Sequence, residues 1–348
     1  MRYAHHRGRV QHADQREDQD AEIWVEQGGS LLSCELVNFF TFPRREGIAE
    51  GYERQAVFGL GKQRERVSRK RPVVRNVTIG DGTVRVTVLG AGRPVLFLHG
   101  ISAHGRAWRP VAERFAEAHQ GWECWLLDLP GRGASDARAE LSYTLDDEVR
   151  RVRAVVRALS PDGPRPRLVA GHSQGAAIAL ALAEAEPDIG GLLLSNPVTP
   201  EIRSPAILRL LRSSAVRRGV GSLLAPLYAP LGHLVLKRAC GPAFRAPSEL
   251  VAAYARPWAS PARARTLLRI LADWHPAELE DRMPRRPVAA HVVTGAHDPR
   301  IPVEAARRLA ARLDCGFTLS PDGGHVLTEQ HPRLLTRLLA ELATGFTP

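Results

Sequence analysis

The chain lacks several things a 348-residue protein often carries, and each absence narrows its chemistry. Its four cysteines, Cys34, Cys124, Cys240 and Cys315, form no C-x-x-C pair and no metal-ligand spacing. That favours reduced structural thiols in a cytoplasmic protein over a disulfide framework. Lysine is nearly missing: only Lys62, Lys70 and Lys237 occur, so the net charge of +11 is almost wholly arginine, as a GC-rich genome would produce without any functional demand. Aromatics make up 6% of the residues, too few for base-stacking platforms, and no RNA- or DNA-binding motif accompanies the charge, so no nucleic-acid partner is expected. No apolar run reaches membrane-spanning length. The nearest, Gly219 to Leu236, is expected to be broken by Pro226 and Pro230. The basic N-terminus has no apolar core of the signal-peptide type, and no internal repeat is visible.

What is present divides the chain in order. Residues 1–72 are rich in Gln, Glu, Arg and His with little periodic apolar pattern, and read as a disordered extension. The patch Leu31 to Phe42 reads as a helix or strand with no evident packing partner, and Lys62 to Arg71 as a solvated basic linker, with contact to an acidic partner as the alternative. From Val73 alternation begins: Val74, Val77 and Ile79, a turn at Asp81-Gly82, then Val84, Val86 and Val88, a hairpin signal. Pro94 to Gly100 is a continuous apolar run, the mark of a strand buried on both faces; Cys124 to Leu129 repeats the type, and the strand opening at Arg167 and Gly190 to Asn196 follow as further buried strands. Between them stand helical patterns, one opening at Thr144 with Asp147 as its capping partner. Strands alternating with helices at these lengths predict a mostly parallel α/β sheet with helices on both faces.

The alternation stops at Asn196 and resumes at Pro287. Residues 197–286 are helical in pattern and read as a lid inserted between core segments 73–196 and 287–348. The lid holds fifteen Lys and Arg against six Asp and Glu, and its apolar run is flanked by Arg217, Arg218, Lys237 and Arg238. Packing onto the core, an apolar acyl pocket, and weak contact with an anionic membrane are all compatible with that pattern.

Chemistry concentrates around Arg167 to Gly175 (RLVAGHSQG), where a strand, a glycine-flanked turn and a small-residue helix follow one another. This is the context a nucleophile elbow requires, with Ser173 on the turn. A serine hydroxyl needs an imidazole to take its proton and an acid to orient the imidazole. Asp298, in Gly295-Ala-His-Asp298, and His325, in Gly324-His325, both follow strands at their carboxyl ends, where open α/β sheets place their sites. His99, His172, His297 and His331 compete for the base role, and none of the four sits as well.

The order Ser173, Asp298, His325, together with His99-Gly100, Asp128-x-x-Gly131-x-Gly133-x-Ser135, Gly171-x-Ser173-x-Gly175 and Gly295-x-x-Asp298, is similar to that of the α/β-hydrolases. The resemblance covers residues 73 to 348 apart from the lid. It implies oxyanion donors at the backbone N–H groups of Ile101 and Gln174, and structural support from His99, Gly100, Gly171 and Gly175. Gln174 departs from the methionine or leucine common in the family. A serine nucleophile argues against epoxide hydrolases and haloalkane dehalogenases, which use aspartate. Some relatives carry the acid after the preceding strand, where this chain has Asn196. The expected function is cleavage of small to medium apolar carboxylic esters, with no cofactor and no metal. Lactone, thioester or carbon–carbon bond hydrolysis, a tailoring role in biosynthesis, and ligand binding without turnover stand as alternatives.

Overall fold

The computed structural model describes residues 71–346 apart from 243, without the side chains of 206, 224–235, 237 and 259. Residues 1–70, with the expected extension, its Leu31 to Phe42 patch and nearly all of its basic linker, lie outside the described residues.

Eight strands form one sheet: β1 (Val73–Ile79), β2 (Gly82–Gly90), β3 (Gly92–Leu98), β4 (Gly121–Leu127), β5 (Leu168–His172), β6 (Gly191–Ser195), β7 (Ala289–Gly295) and β8 (Gly316–Ser320). Their spatial order is β1-β2-β4-β3-β5-β6-β7-β8. β1 and β2 make the expected hairpin, Ile79 pairing with Gly82, and β2 runs antiparallel to β4; every later pairing is parallel.

Strand residues alternate between two cores, as a period of two demands. Leu96, Leu98, Val169, Leu192, Leu194 and Val292 face one cluster, whereas Val95, Phe97, Ala170, Leu193 and Val293 face the other. The first is covered by helices α2 (Leu145–Leu159), α3 (Gln174–Ala185) and α7 (Val303–Arg312), and the second by α1 (Arg109–Ala118) and α9 (Pro332–Thr344). Each fully buried leucine contributes ~1.5–3 kcal/mol, so the central strands are held from both sides. α2 starts as its sequence predicts: the Thr144 hydroxyl accepts from the Asp147 N–H at 3.3 Å.

Between β6 and β7 lie a 3-10 turn (Ala206–Arg212), α4 (Ser214–Ala239), α5 (Ser248–Ala259), α6 (Pro261–Asp273) and a second 3-10 turn (Pro276–Arg282). The apolar run from Gly219 is not broken at its prolines, because α4 continues across Pro226 and Pro230. It packs along α5 and α6, and tertiary contact overrides the local propensity against proline. No helix among the described residues is long and apolar enough to cross a membrane. A short helix, α8 (Leu327–Gln330), follows the His325 loop.

Candidate active site

β5 ends on His172, and the chain reverses into α3 through a single residue. Ser173 takes φ 53° and ψ −118°, a left-handed backbone that is strained for a residue with a Cβ. The reversal needs its glycines. A Cβ on Gly171 would stand 2.5 Å from Ala176 Cα, and one on Gly175 would stand 2.3 Å from the Leu98 carbonyl oxygen. Serine before a helix ordinarily caps it, accepting from the first free N–H groups. Here the side chain makes no capping bond. Its hydroxyl lies instead 3.1 Å from His325 Nε2.

The other ring nitrogen, His325 Nδ1, is 2.9 Å from Asp298 Oδ2. The Asp298 carboxylate is fully enclosed, and burial alone would push its pKa up. The adjacent His325 ring, and the Ile301 and Arg300 N–H groups donating to Oδ1 at 3.0 and 2.7 Å, outweigh burial and hold the carboxyl below its usual range. Asn196 Nδ2 donates to Asp298 Oδ2 at 2.7 Å and to the Gly324 carbonyl at 3.1 Å. Asn196 also has positive φ, 45°, which asparagine tolerates better than most residues. At the position where some relatives are expected to carry the acid, it serves here as a hydrogen-bond donor to Asp298.

The competing histidines resolve by their partners. His172 Nε2 lies 2.7 Å from the His325 carbonyl oxygen, and burial, reinforced by the nearby His325, drives its pKa down to about 3. A neutral His172 therefore donates from Nε2 and fixes the backbone of His325. His99 accepts the Leu129 N–H at Nε2, 2.9 Å away, so its Nδ1 carries the proton and donates to the Gly100 carbonyl at 2.7 Å. Burial, then the neighbouring Arg132 charge, depresses its pKa well below the imidazole range. The carbonyl that His99 holds belongs to the same peptide unit as the Ile101 N–H. His297 is exposed, and His331 Nε2 lies 3.6 Å from the Asp322 carboxylate, away from the relay.

The Gly100 loop lies against the nucleophile turn: a Cβ on Gly100 would be 3.2 Å from Ser173 Cβ. The loop is anchored beyond Ile101 by the Gly105 N–H donating to Asp128 Oδ1 at 2.7 Å, while Asp128 Oδ2 takes the Ala134 N–H at 2.8 Å. The N–H of Gln174 is the first of α3, one of those no intrahelical carbonyl can accept. Gln174 thus follows Ser173 at the positive end of a helix, and Ile101 follows the glycine that lies against the Ser173 side chain.

The inserted segment reaches this site. The Ala239 carbonyl, the last of α4, accepts the His325 N–H at 2.6 Å. From α5, the Tyr254 hydroxyl donates to Glu329 Oε1 on α8 at 2.9 Å. Burial pushes the Glu329 carboxyl up to about 7, against its hydrogen bonds to Thr328 and Tyr254. No spacing or motif marks this pairing, nor Arg132, which stands at an unassigned position of the Asp128 to Ser135 motif. Among the described residues no group of His, Cys, Asp or Glu is arranged to hold a metal.

Fold and sequence agree on the class. The chain belongs to the alpha/beta hydrolase family, whose model matches residues 95–338. Among curated proteins it is similar to lipase LipV of Mycobacterium tuberculosis, 34% identical over 132 residues, which are 38% of this chain and 43% of the lipase. It is also similar to the magnesium-chelatase 30 kDa subunit of Rhodobacter capsulatus, 25% identical over 251 residues, covering 68% of this chain and 82% of that protein. The chain spans about half the length of most of the curated relatives it matches. An alpha/beta hydrolase fold protein from Burkholderia ambifaria superposes with a TM-score of 0.65 at 22% identity, over 77% of this chain and 97% of that one.

Proposed function

We propose that this hydrolase cleaves carboxylic esters of small to medium apolar substrates through an acyl-Ser173 intermediate. The observation that carries the reading is the unbroken relay of 3.1 Å from Ser173 Oγ to His325 Nε2 and 2.9 Å from His325 Nδ1 to Asp298. As Ser173 Oγ attacks the carbonyl carbon, its proton passes to His325 Nε2, and Asp298 stabilises the imidazolium that results. Negative charge gathers on the former carbonyl oxygen, facing the N–H groups of Ile101 and Gln174. Collapse breaks the ester C–O bond, and His325 gives its proton to the departing alkoxide. A water then loses a proton to His325 and attacks the acyl carbon, releasing the acid and returning the proton to Ser173. Every proton taken is given back, so the cycle consumes one water and needs no other co-reactant.

Residues 197–286 act in this reading as a lid that encloses the substrate, supported by the contacts that α4 and α5 make with the His325 loop and α8. The unpaired thiols of Cys124, Cys240 and Cys315 suit a cytoplasmic setting. A second reading, ligand binding or biosynthetic tailoring without ester turnover, draws support from the breadth of overlap with the chelatase subunit, which is not named as a hydrolase. One experiment separates them. A fluorophosphonate probe should label the wild type and not Ser173→Ala, and the wild type should turn over members of a panel of p-nitrophenyl esters, lactones and thioesters. Equal labelling of both proteins would remove Ser173 from the mechanism.

A further inference from the structure

Arg132 is a charged side chain with no exposure at all, ion-paired at 2.7 Å to Glu148, whose side chain is equally buried. Enclosing a guanidinium is costly, and apolar residues of the same volume commonly serve stability as well or better. Its remaining contacts point to another purpose. Nη1 donates to the Pro130 carbonyl at 2.9 Å as well as to Glu148. Nε donates to the Ile101 carbonyl at 3.2 Å, and Nη2 donates to Gln174 Oε1 at 2.5 Å. Ile101 and Gln174 are the two residues whose N–H groups the resemblance assigns to the oxyanion. They lie far apart in sequence, on a loop and on a helix, and this one planar group touches both.

We propose that Arg132 is a positioning residue for oxyanion stabilisation, fixing the loop donor through the Ile101 carbonyl and the helix donor through the Gln174 side chain. The inference rests on the ester-hydrolase reading and adds the part that aligns its two donors. Glu148 neutralises the charge, so the fork can act by geometry without placing a bare cation beside the nucleophile. The bond to Nη2 also settles the amide of Gln174: its oxygen faces Arg132, which leaves Nε2 buried with no hydrogen-bond partner among the described residues. A methionine or leucine at 174 would accept nothing from Nη2, so Arg132 and Gln174 form a matched pair. Lysine could keep the charge opposite Glu148, but it has no fork with which to reach Ile101 and Gln174 together.

The test compares wild type, Arg132→Lys, Arg132→Met, Gln174→Met and the Arg132→Lys/Gln174→Met double variant on a p-nitrophenyl ester that the wild type hydrolyses. Rates are expressed per site titrated with fluorophosphonate, so that unfolded protein does not count. Arg132→Lys is expected to lower kcat ~100-fold while KM moves less than about threefold, the pattern of an interaction realised only in the transition state. Inhibition by a trifluoromethyl ketone, whose adduct with Ser173 carries the oxyanion, should weaken in parallel. The double variant should lose less than the product of the two single losses. If Arg132→Met fails to fold, Arg132→Lys carries the comparison. Unchanged kcat per titrated site in Arg132→Lys, or strictly multiplicative losses with unaltered ketone inhibition, would assign Arg132 a purely structural role while leaving the hydrolase reading intact. A wild type that neither labels nor turns over would overturn that reading, and this one with it.

Discussion

Replacing Glu329 with glutamine should change how the fold responds to pH, and the size of the effect can be worked from the structure. Burial lifts the Glu329 carboxyl from near 4.5 to about 7. The folded state therefore keeps a proton that the unfolded chain surrenders earlier. Below the unfolded value both states are protonated, and the group's contribution is fully present. As pH rises through 4.5 toward 7 the unfolded chain releases its proton first, and the contribution is lost, by about 3 kcal/mol in all. Glutamine can still accept from the Tyr254 hydroxyl, 2.9 Å from Oε1 in the native protein, without ever ionising. Glu329→Gln should thus match the wild type near about pH 4.5 and exceed it at about pH 8, by roughly 5–10 °C in Tm for a domain of this size. Thermal melts of both proteins across that range, followed by circular dichroism, measure the gap directly. Other groups titrate equally in the two proteins, so only the difference between the curves matters. A gap that stays constant from acid to alkaline pH would refute the claim that a buried, proton-retaining carboxyl stands there.

Three further outcomes are expected. Asn196→Asp would set a second carboxylate against Asp298, at a contact now 2.7 Å long; one of the two must hold a proton, so turnover should fall at neutral pH and its pH–rate profile should shift. Asp298→Asn should lower kcat ~10⁴-fold with the fold retained, because His325 loses the partner that selects its tautomer; stopped-flow ester hydrolysis and a thermal melt check both halves. Thr144→Ala removes the cap of α2 and should cost about 1 kcal/mol in urea unfolding while leaving kcat/KM unaltered, since the cap touches nothing in the relay.

Much of this was legible from residues alone, for reasons that are local. Hairpin, buried strands and elbow each announce themselves within a dozen residues through alternation, apolar runs or glycines at fixed offsets. Ser173, Asp298 and His325 could be named because strand ends are legible and sheet topology brings strand ends together. What escaped was set by partners distant in sequence. Nothing around Tyr254 marks it as the donor to Glu329, 75 residues on. Arg132 hid inside a motif whose glycines drew the attention. The prolines of α4 misled because their cost is local, whereas the packing along α5 and α6 that offsets it is not. His104 shows the same limit: both ring nitrogens are buried without a hydrogen bond among the described residues, a circumstance no spacing rule predicts.

The bond from the His325 N–H to the Ala239 carbonyl has a consequence for how this protein can be altered. Because the last turn of α4 ends on the main chain of the proposed general base, residues 197–286 are not an interchangeable cover. A segment transplanted from a relative would have to deliver a carbonyl to that same point in space, or the imidazole would lose one of its backbone anchors. Under the proposed lid role, substrate range and base placement would be inherited together, and chimeras cut at the ends of β6 and β7 should trade one against the other.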